Sequence, residues 1–280
     1  MKNGPALGEL LEEGRRRLRA MPFHPPAREA ALLLAELLGW SEARVLARTD
    51  ENVGPELAEH FRALLDRRAK GEPVAYLFGR REFYGREFQV DQRVLVPRPE
   101  TEHLIEIALK LELPPSPRIA DVGAGSGAIA VTLAAELPRS RLVATDLSLG
   151  ALRVARGNAQ RHGVANRIAF LHTDLLAGID LRKLDLLVSN PPYVDPAAAL
   201  SREVVDFEPH LALFSPQEGK EAIGRLLTAA RGLRPGTPIL LEIGYDQADF
   251  VAEEARRQGL GPVEISNDYA GLPRNALLRR

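Results

Sequence analysis

RIADVGAGSGAIAVTLAAEL, residues 118–137, reads as a strand, a glycine turn and a helix in immediate succession. Residues 118–122 form a short apolar run, residues 123–127 alternate glycine with small residues, and helix formers continue from Ala128. That order is the repeating unit of an α/β sheet. Working outward, RLVATD (141–146), IAFLHTD (168–174), LDLLVSN (184–190), PILLEIG (238–244) and VEIS (263–266) supply further strands, with a helix through residues 148–162. Continuous apolar strands joined by crossover helices predict a mostly parallel sheet covered on both faces. NALLRR, at the C-terminus, is expected to join it antiparallel.

Upstream the period changes. Ala30, Leu33, Leu34, Leu37 and Leu38 fall on one helical stripe, and Leu57, Phe61, Leu64 and Leu65 on another. Pro25-Pro26 and Gly54-Pro55 mark helix starts, and Gly39 and Gly71 lie near helix ends. Residues 1–72 are therefore expected to form a small helical bundle. REFYGREFQVDQRVLVP (81–97) flanks Gly85 with aromatic and β-branched residues and predicts a hairpin, so residues 73–97 are assigned to a link and 98–280 to the main domain. The two prolines of PRPETEHL force an extended approach to a helix starting near Thr101.

Composition narrows the function. The chain has 280 residues, 45% hydrophobic and 27% charged, with a net charge of −1. Residues 1–72 carry 12 basic and 12 acidic side chains, so this segment is no basic arm. Balanced charge argues against a broad grip on nucleic acid. No cysteine is present, which excludes disulfides, thiolate metal sites and cysteine nucleophiles. The N-terminus has charges where a signal peptide needs an apolar stretch, and Glu36 interrupts the longest apolar run. A cytoplasmic protein with no membrane partner is expected. His24, His60, His103, His162, His172 and His210 show no metal-binding spacing, and Arg15–Arg17 and Arg80-Arg81 read as solvated faces.

Chemistry concentrates in two places. At the first, Gly123-Ala124-Gly125-Ser126-Gly127 ends a strand and opens a helix, where backbone approaches a ligand and unpaired amides face it. Asp146 ends the next strand and suits both hydroxyls of a ribose. This pair fits a nicotinamide dinucleotide and S-adenosylmethionine equally. Asp121 tilts the choice: a carboxylate before the turn attracts an ammonium group and repels a pyrophosphate, although it could simply brace the turn.

The second is Asn190-Pro191-Pro192-Tyr193, directly after an apolar strand, at the edge where open α/β sheets bind ligands. An amide or amine nitrogen attacking a sulfonium methyl must be held with its lone pair aimed at the carbon. The Asn190 side-chain oxygen and the Pro191 carbonyl can each accept one N–H. Two prolines fix φ and offer no competing donor. Tyr193 can pack on a planar amide or base.

These motifs resemble the amino-methyltransferases, and their flanks resemble the release factor glutamine methyltransferases, the PrmC/HemK family. The resembling stretches are GEPVAYLFGRREFYGREFQV, VLVPRPETEHL, DVGAGSGAIAVTLA, SNPPYV, FEPHLALFSPQEG, LEIGYDQ and NDYAGLPRNALL, from residue 71 almost to the C-terminus. The resemblance implies a Rossmann-like α/β methyltransferase domain behind an N-terminal helical bundle. It implies that Gly123 to Gly127 wrap the methionine moiety and ribose, with Asp146-Leu147 on the ribose and Asp174-Leu175 against the adenine. Phe83, Arg98, Pro99 and Thr101 would close the cofactor side with Glu100 bracing the turn, and Asn190 to Tyr193 would clamp a substrate glutamine beside the methyl. S-adenosylhomocysteine would be the product, no metal would be needed, and class 1 release factors would be the partners of a monomer. Leu175 stands where the family often has an aromatic residue, and FSPQEG replaces a glycine-rich acidic loop, which leaves residues 214–219 without a role.

Two rivals differ in substrate or in kind. An adenine-N6 methyltransferase of DNA or RNA would use the same clamp, but needs a basic, stacking recognition region that residues 1–72 do not resemble. A cofactor-sensing adaptor would have no need of Asn190 and Tyr193.

Overall fold

Amphipathic periodicity and apolar strands sort the chain into two units in the computed structural model, which describes residues 4–20 and 25–280. His24 and the first three residues lie outside the described residues. The first unit holds α1 (Leu7–Arg17), α2 (Pro26–Leu38), α3 (Glu42–Leu46), α4 (Pro55–Arg68) and α5 (Val74–Phe78). Pro26 and Pro55 occupy first-turn positions, where a missing N–H costs nothing, and Gly39 closes α2 in the left-handed region. Leu10, Leu33, Leu34, Phe61 and Leu65 are fully buried in this bundle's core.

One polar link shapes that unit. Arg68 is 1% exposed and pairs with Glu29 at 2.6 Å and with Glu203 at 3.0 Å. Glu203 lies in α9 (Arg202–Phe207), so Leu200–Phe207 clusters with the residues up to Gly79. This unit thus extends past the boundary expected at residue 72 and takes in a segment from far along the chain. A buried cation needs its carboxylates wherever they come from, and local sequence does not reveal that.

The second unit spans Arg80–Ala199 and Glu208–Arg280. It begins with the hairpin β1 (Arg80–Phe83) and β2 (Arg86–Gln89), turning at Tyr84 and Gly85, both with positive φ. Phe83 and Phe88 are buried edge to face beneath it. Asn158 ties the hairpin down by exchanging two hydrogen bonds with the Gln89 backbone, so residues 80–97 of the expected link belong to the second unit and residues 73–79, with α5, to the first.

There follow α6 (Glu100–Lys110), β3 (Arg118–Val122), α7 (Ala128–Glu136), β4 (Arg141–Asp146), α8 (Leu149–Arg161), β5 (Ile168–His172) and β6 (Leu186–Ser189). Beyond α9 come the short α10 (His210–Leu213) and α11 (Pro216–Gly219), then α12 (Glu221–Ala230), β7 (Pro238–Glu242), α13 (Ala248–Arg257), β8 (Glu264–Asn267) and β9 (Pro273–Arg279). The sheet order is β5-β4-β3-β6-β7-β9-β8. Its first five strands are parallel, and β9 runs antiparallel to both neighbours, as the C-terminal pattern predicts.

The apolar strands are buried because helices cover both faces. Residues of α6, α7 and α8 form one core layer and residues of α12 and α13 the other. Every residue of β7 is buried, and its apolar side chains stabilise by roughly 1.5–3 kcal/mol each.

Candidate active site

The strand order turns outward in both directions between β3 and β6, which opens a crevice at their carboxyl ends. In the parallel register Val122 pairs with Ser189, so Gly123 and Asn190 leave the sheet side by side. The Ser189 hydroxyl donates to the Val122 carbonyl at 2.6 Å and locks the two ends together. A cavity of about 470 Å³ opens here, lined by Phe83, Arg98, Thr101, Gly123 to Ser126, Asp146, Leu147, Asp174, Leu175 and Asn190 to Pro192. Four expected residues do not line it: Pro99, Asp121, Gly127 and Tyr193.

The glycine turn is held by its own neighbourhood. Gly123 and Ala124 donate to the Thr145 carbonyl at 2.9 and 2.8 Å. Asp146 accepts from the Gly125 amide at 2.9 Å and from the Ser148 amide at 2.8 Å, leaving lone pairs for ribose hydroxyls. Gly127 has φ +82, and a Cβ there would meet Ala155 of α8 at 3.0 Å, so its contribution is close helix packing. Asp174 pairs with Arg225 through Oδ2, while its buried Oδ1 has no partner among the described residues. An unpaired acceptor on the cavity wall beside the aliphatic Leu175 fits the amino edge of adenine.

Asp121 is fully buried. One oxygen accepts from the Ala130 amide in α7 at 3.0 Å, and the other lacks a partner among the described residues. Burial pushes its carboxyl up to about 7, offset in part by the Ala130 hydrogen bond. It braces the start of α7 and does not reach the cavity wall.

The clamp is held from afar. Asn190 Nδ2 donates to Thr101 Oγ1 at 3.1 Å, and Thr101 donates to Glu242 Oε2 at 2.6 Å. Tyr193 donates to Glu242 Oε1 at 3.0 Å. Burial pushes Glu242 upward, while the Thr101 and Tyr193 hydroxyls and Arg274 draw it back. Burial and then Glu242 push the Tyr193 phenol up.

Residues 214–219, which had no role in the sequence reading, acquire one. Val194 donates to the Leu213 carbonyl at 3.0 Å and accepts from the Ser215 amide at 2.9 Å, on either side of the short bridge to Phe214. Gly219, at φ +80, lies so close to the Tyr193 carbonyl that a Cβ would come within 2.1 Å of that oxygen. Gln247 donates to the same carbonyl at 3.0 Å.

The approach to α6 is braced by another unforeseen residue. Glu208 is 4% exposed and accepts from the Val96 amide at 3.1 Å and from Arg98 at 2.5 Å. Glu100, expected to do this, is exposed and takes no hydrogen bond from the described residues. The sequence signal for Glu208 is an acid set between Phe207 and Pro209.

Fold and crevice together define a Rossmann-like, S-adenosylmethionine-dependent methyltransferase. A family model described as the methyltransferase small domain matches residues 101–207, and one described as the PrmC N-terminal domain matches residues 9–79. A methyltransferase from Pyrococcus furiosus shares the fold, with a TM-score of 0.53 at 19% identity over 76% of this chain and 97% of that one. The T. thermophilus 16S rRNA N2 G1207 methyltransferase gives a TM-score of 0.51 at 17% identity, over 72% and 49% of the two chains.

Sequence relatives are more specific. The chain is 44% identical over 279 residues to the release factor glutamine methyltransferase of Moorella thermoacetica, covering 98% of each protein. It is 42% identical to that of Nitratidesulfovibrio vulgaris, over 97% of this chain and 94% of the relative. The chain belongs to the release factor glutamine methyltransferase family.

Proposed function

We propose that this protein transfers the methyl group of S-adenosylmethionine to the side-chain amide nitrogen of the glutamine in the Gly-Gly-Gln motif of class 1 release factors. The observation that carries the reading is the Val122–Ser189 register, which sets the glycine turn and Asn190 on one cavity wall. When bound, S-adenosylmethionine supplies an electrophilic methyl on a sulfonium, whose departure leaves S-adenosylhomocysteine.

The chain's own part is alignment. Asn190 Oδ1 and the Pro191 carbonyl each accept one N–H of the substrate amide, hold it in line with the methyl, and favour lone-pair density on nitrogen. Holding reactants in that geometry supplies several kcal/mol of rate enhancement. The nitrogen sheds its proton to solvent after the carbon–nitrogen bond forms, so no side chain need act as a strong base.

Residues 1–72 contribute recognition of the folded substrate, since one exposed glutamine offers too few atoms for specificity. The reading includes a monomer in the cytoplasm with no stable nucleic-acid partner, in keeping with the balanced charge. Among the described residues no helix is long and apolar enough to cross a membrane. The test is incubation with labelled S-adenosylmethionine and separate release factor, DNA and RNA pools. Label on the Gly-Gly-Gln glutamine supports the reading; label only in nucleic acid overturns it.

A further inference from the structure

A primary-amide side chain can present either end to a ligand, and only its oxygen suits a substrate NH₂ group. We propose that Glu242, acting through Thr101, is the positioning residue that turns the Asn190 oxygen toward the substrate. The inference rests on the glutamine-methylating reading of this cleft and deepens it.

Glu242 is 1% exposed and ends β7, whose other four residues are Pro238, Ile239, Leu240 and Leu241, all apolar and buried. A carboxylate in that place is costly unless it does something an apolar residue cannot. Its two oxygens receive the Thr101 hydroxyl at 2.6 Å and the Tyr193 hydroxyl at 3.0 Å. A carboxylate has no hydrogen to give, so both hydroxyls must donate to it. Arg274 Nη1, at 3.5 Å from the Tyr193 oxygen, can only donate to it, which favours the phenol hydrogen pointing to Glu242.

Thr101 has one hydroxyl hydrogen, and Glu242 takes it. The Thr101 oxygen is left as an acceptor, and Asn190 meets it with Nδ2 at 3.1 Å. The opposite end of the amide, Oδ1, takes no hydrogen bond from the described residues and is left for the cavity that Asn190 lines. Reversing the amide would set two acceptor oxygens against each other and turn an NH₂ group toward a substrate NH₂. The direction of three hydrogen bonds thus passes from a buried carboxylate to the reacting amide.

The test breaks the relay at each end. Glu242→Gln keeps the shape but can donate to Thr101, freeing the Thr101 hydroxyl to donate to Asn190 and reverse its amide. Thr101→Val removes the hydroxyl without touching the sheet, and carries the test if Glu242→Gln fails to fold. Each variant is checked by circular dichroism, then assayed for single-turnover methylation of a purified release factor. A second readout needs no catalysis: binding of release factors with glutamine or glutamate at the methylated position.

Glu242→Gln is expected to hold S-adenosylmethionine nearly as well as the wild type and to methylate about tenfold or more slowly. Its preference for glutamine over glutamate should shrink or invert, because an NH₂ facing the cavity suits a carboxylate. Thr101→Val should also lose rate, and Thr101→Ser should recover the larger part of that loss. Wild-type rate in both Glu242→Gln and Thr101→Val overturns the relay, and so does a slower Glu242→Gln with unchanged glutamine preference. A wild-type protein that leaves the release factor unmethylated overturns the glutamine reading itself, and the relay with it.

Discussion

The two loops that meet at the crevice are built in opposite ways. The glycine turn after β3 is held by residues within about two dozen positions: Thr145, Asp146 and, through Asp121, Ala130. The Asn190 clamp after β6 is stiffened by its prolines but held in place by Thr101, Glu242, Gln247 and the turn at Gly219, separated by up to 141 positions. The first loop must yield its backbone to a ligand, so its freedom is local and its bracing short. The second, in the proposed mechanism, holds one amide in one orientation, and it draws on distant elements of the sheet unit. The difference predicts that local changes will disturb the cofactor side, while distant ones will disturb the chemistry.

The largest expected effect tests the local side. Asp121 titrates near 7 in the folded protein against 3.8 in an exposed carboxylate. Its folded value is raised, so the native state holds the proton more tightly and this contribution is full below about pH 4. It is lost as pH rises through about 7, a change of up to roughly 4 kcal/mol. Asp121→Asn should flatten that slope and be the more stable form at pH 8, as thermal unfolding across pH 4–8 would show. Parallel pH profiles for the two proteins would remove the buried carboxyl from this role.

Gly219 tests the remote side. Its Cβ would press on a backbone oxygen at 2.1 Å, and φ +80 disfavours any side chain. Gly219→Ala should cost about 3 kcal/mol by denaturant unfolding, and displace Tyr193 and the clamp. Its methylation rate should fall further than its cofactor affinity. Equal losses in both would mean that the turn supports the whole crevice.

A smaller effect is expected at Asp146. Removing the carboxylate that holds the Gly125 and Ser148 amides, and that the proposed function sets on the ribose hydroxyls, should weaken S-adenosylmethionine by roughly 1–3 kcal/mol in calorimetry. Turnover with saturating cofactor should change less. Unchanged affinity in a folded Asp146→Ala protein would place the ribose elsewhere.

What could be read in the sequence follows the same division. The strand, glycine turn and helix at residues 118–137 are legible because hydrophobic period and glycine spacing are local signals. NPPY is legible because its four residues are adjacent. Glu208, Glu242, Gln247 and Gly219 are not, because each matters only through a partner that the fold brings from 26 to 141 positions away. Glu242 did leave a trace, an acid closing an otherwise apolar strand. The motif shows that Tyr193 is present but not that its hydroxyl meets a buried carboxylate 49 positions away. The allegiance of Leu200–Phe207 to the helical unit was invisible for the same reason, since it depends on Arg68 and Glu203 meeting across 135 positions.

Single-turnover methylation of a purified release factor by Asn190→Ala, with cofactor affinity measured on the same protein, tests the account most directly. Losing one of two acceptors lets the substrate amide rotate out of line, so the rate should fall by about 10²-fold or more. Cofactor affinity should change little, because the glycine turn and Asp146 remain. Asn190→Asp keeps an acceptor oxygen and should retain part of the activity. Near wild-type turnover by Asn190→Ala would contradict the clamp, and weakened cofactor binding with no separate turnover defect would make Asn190 a cofactor residue instead.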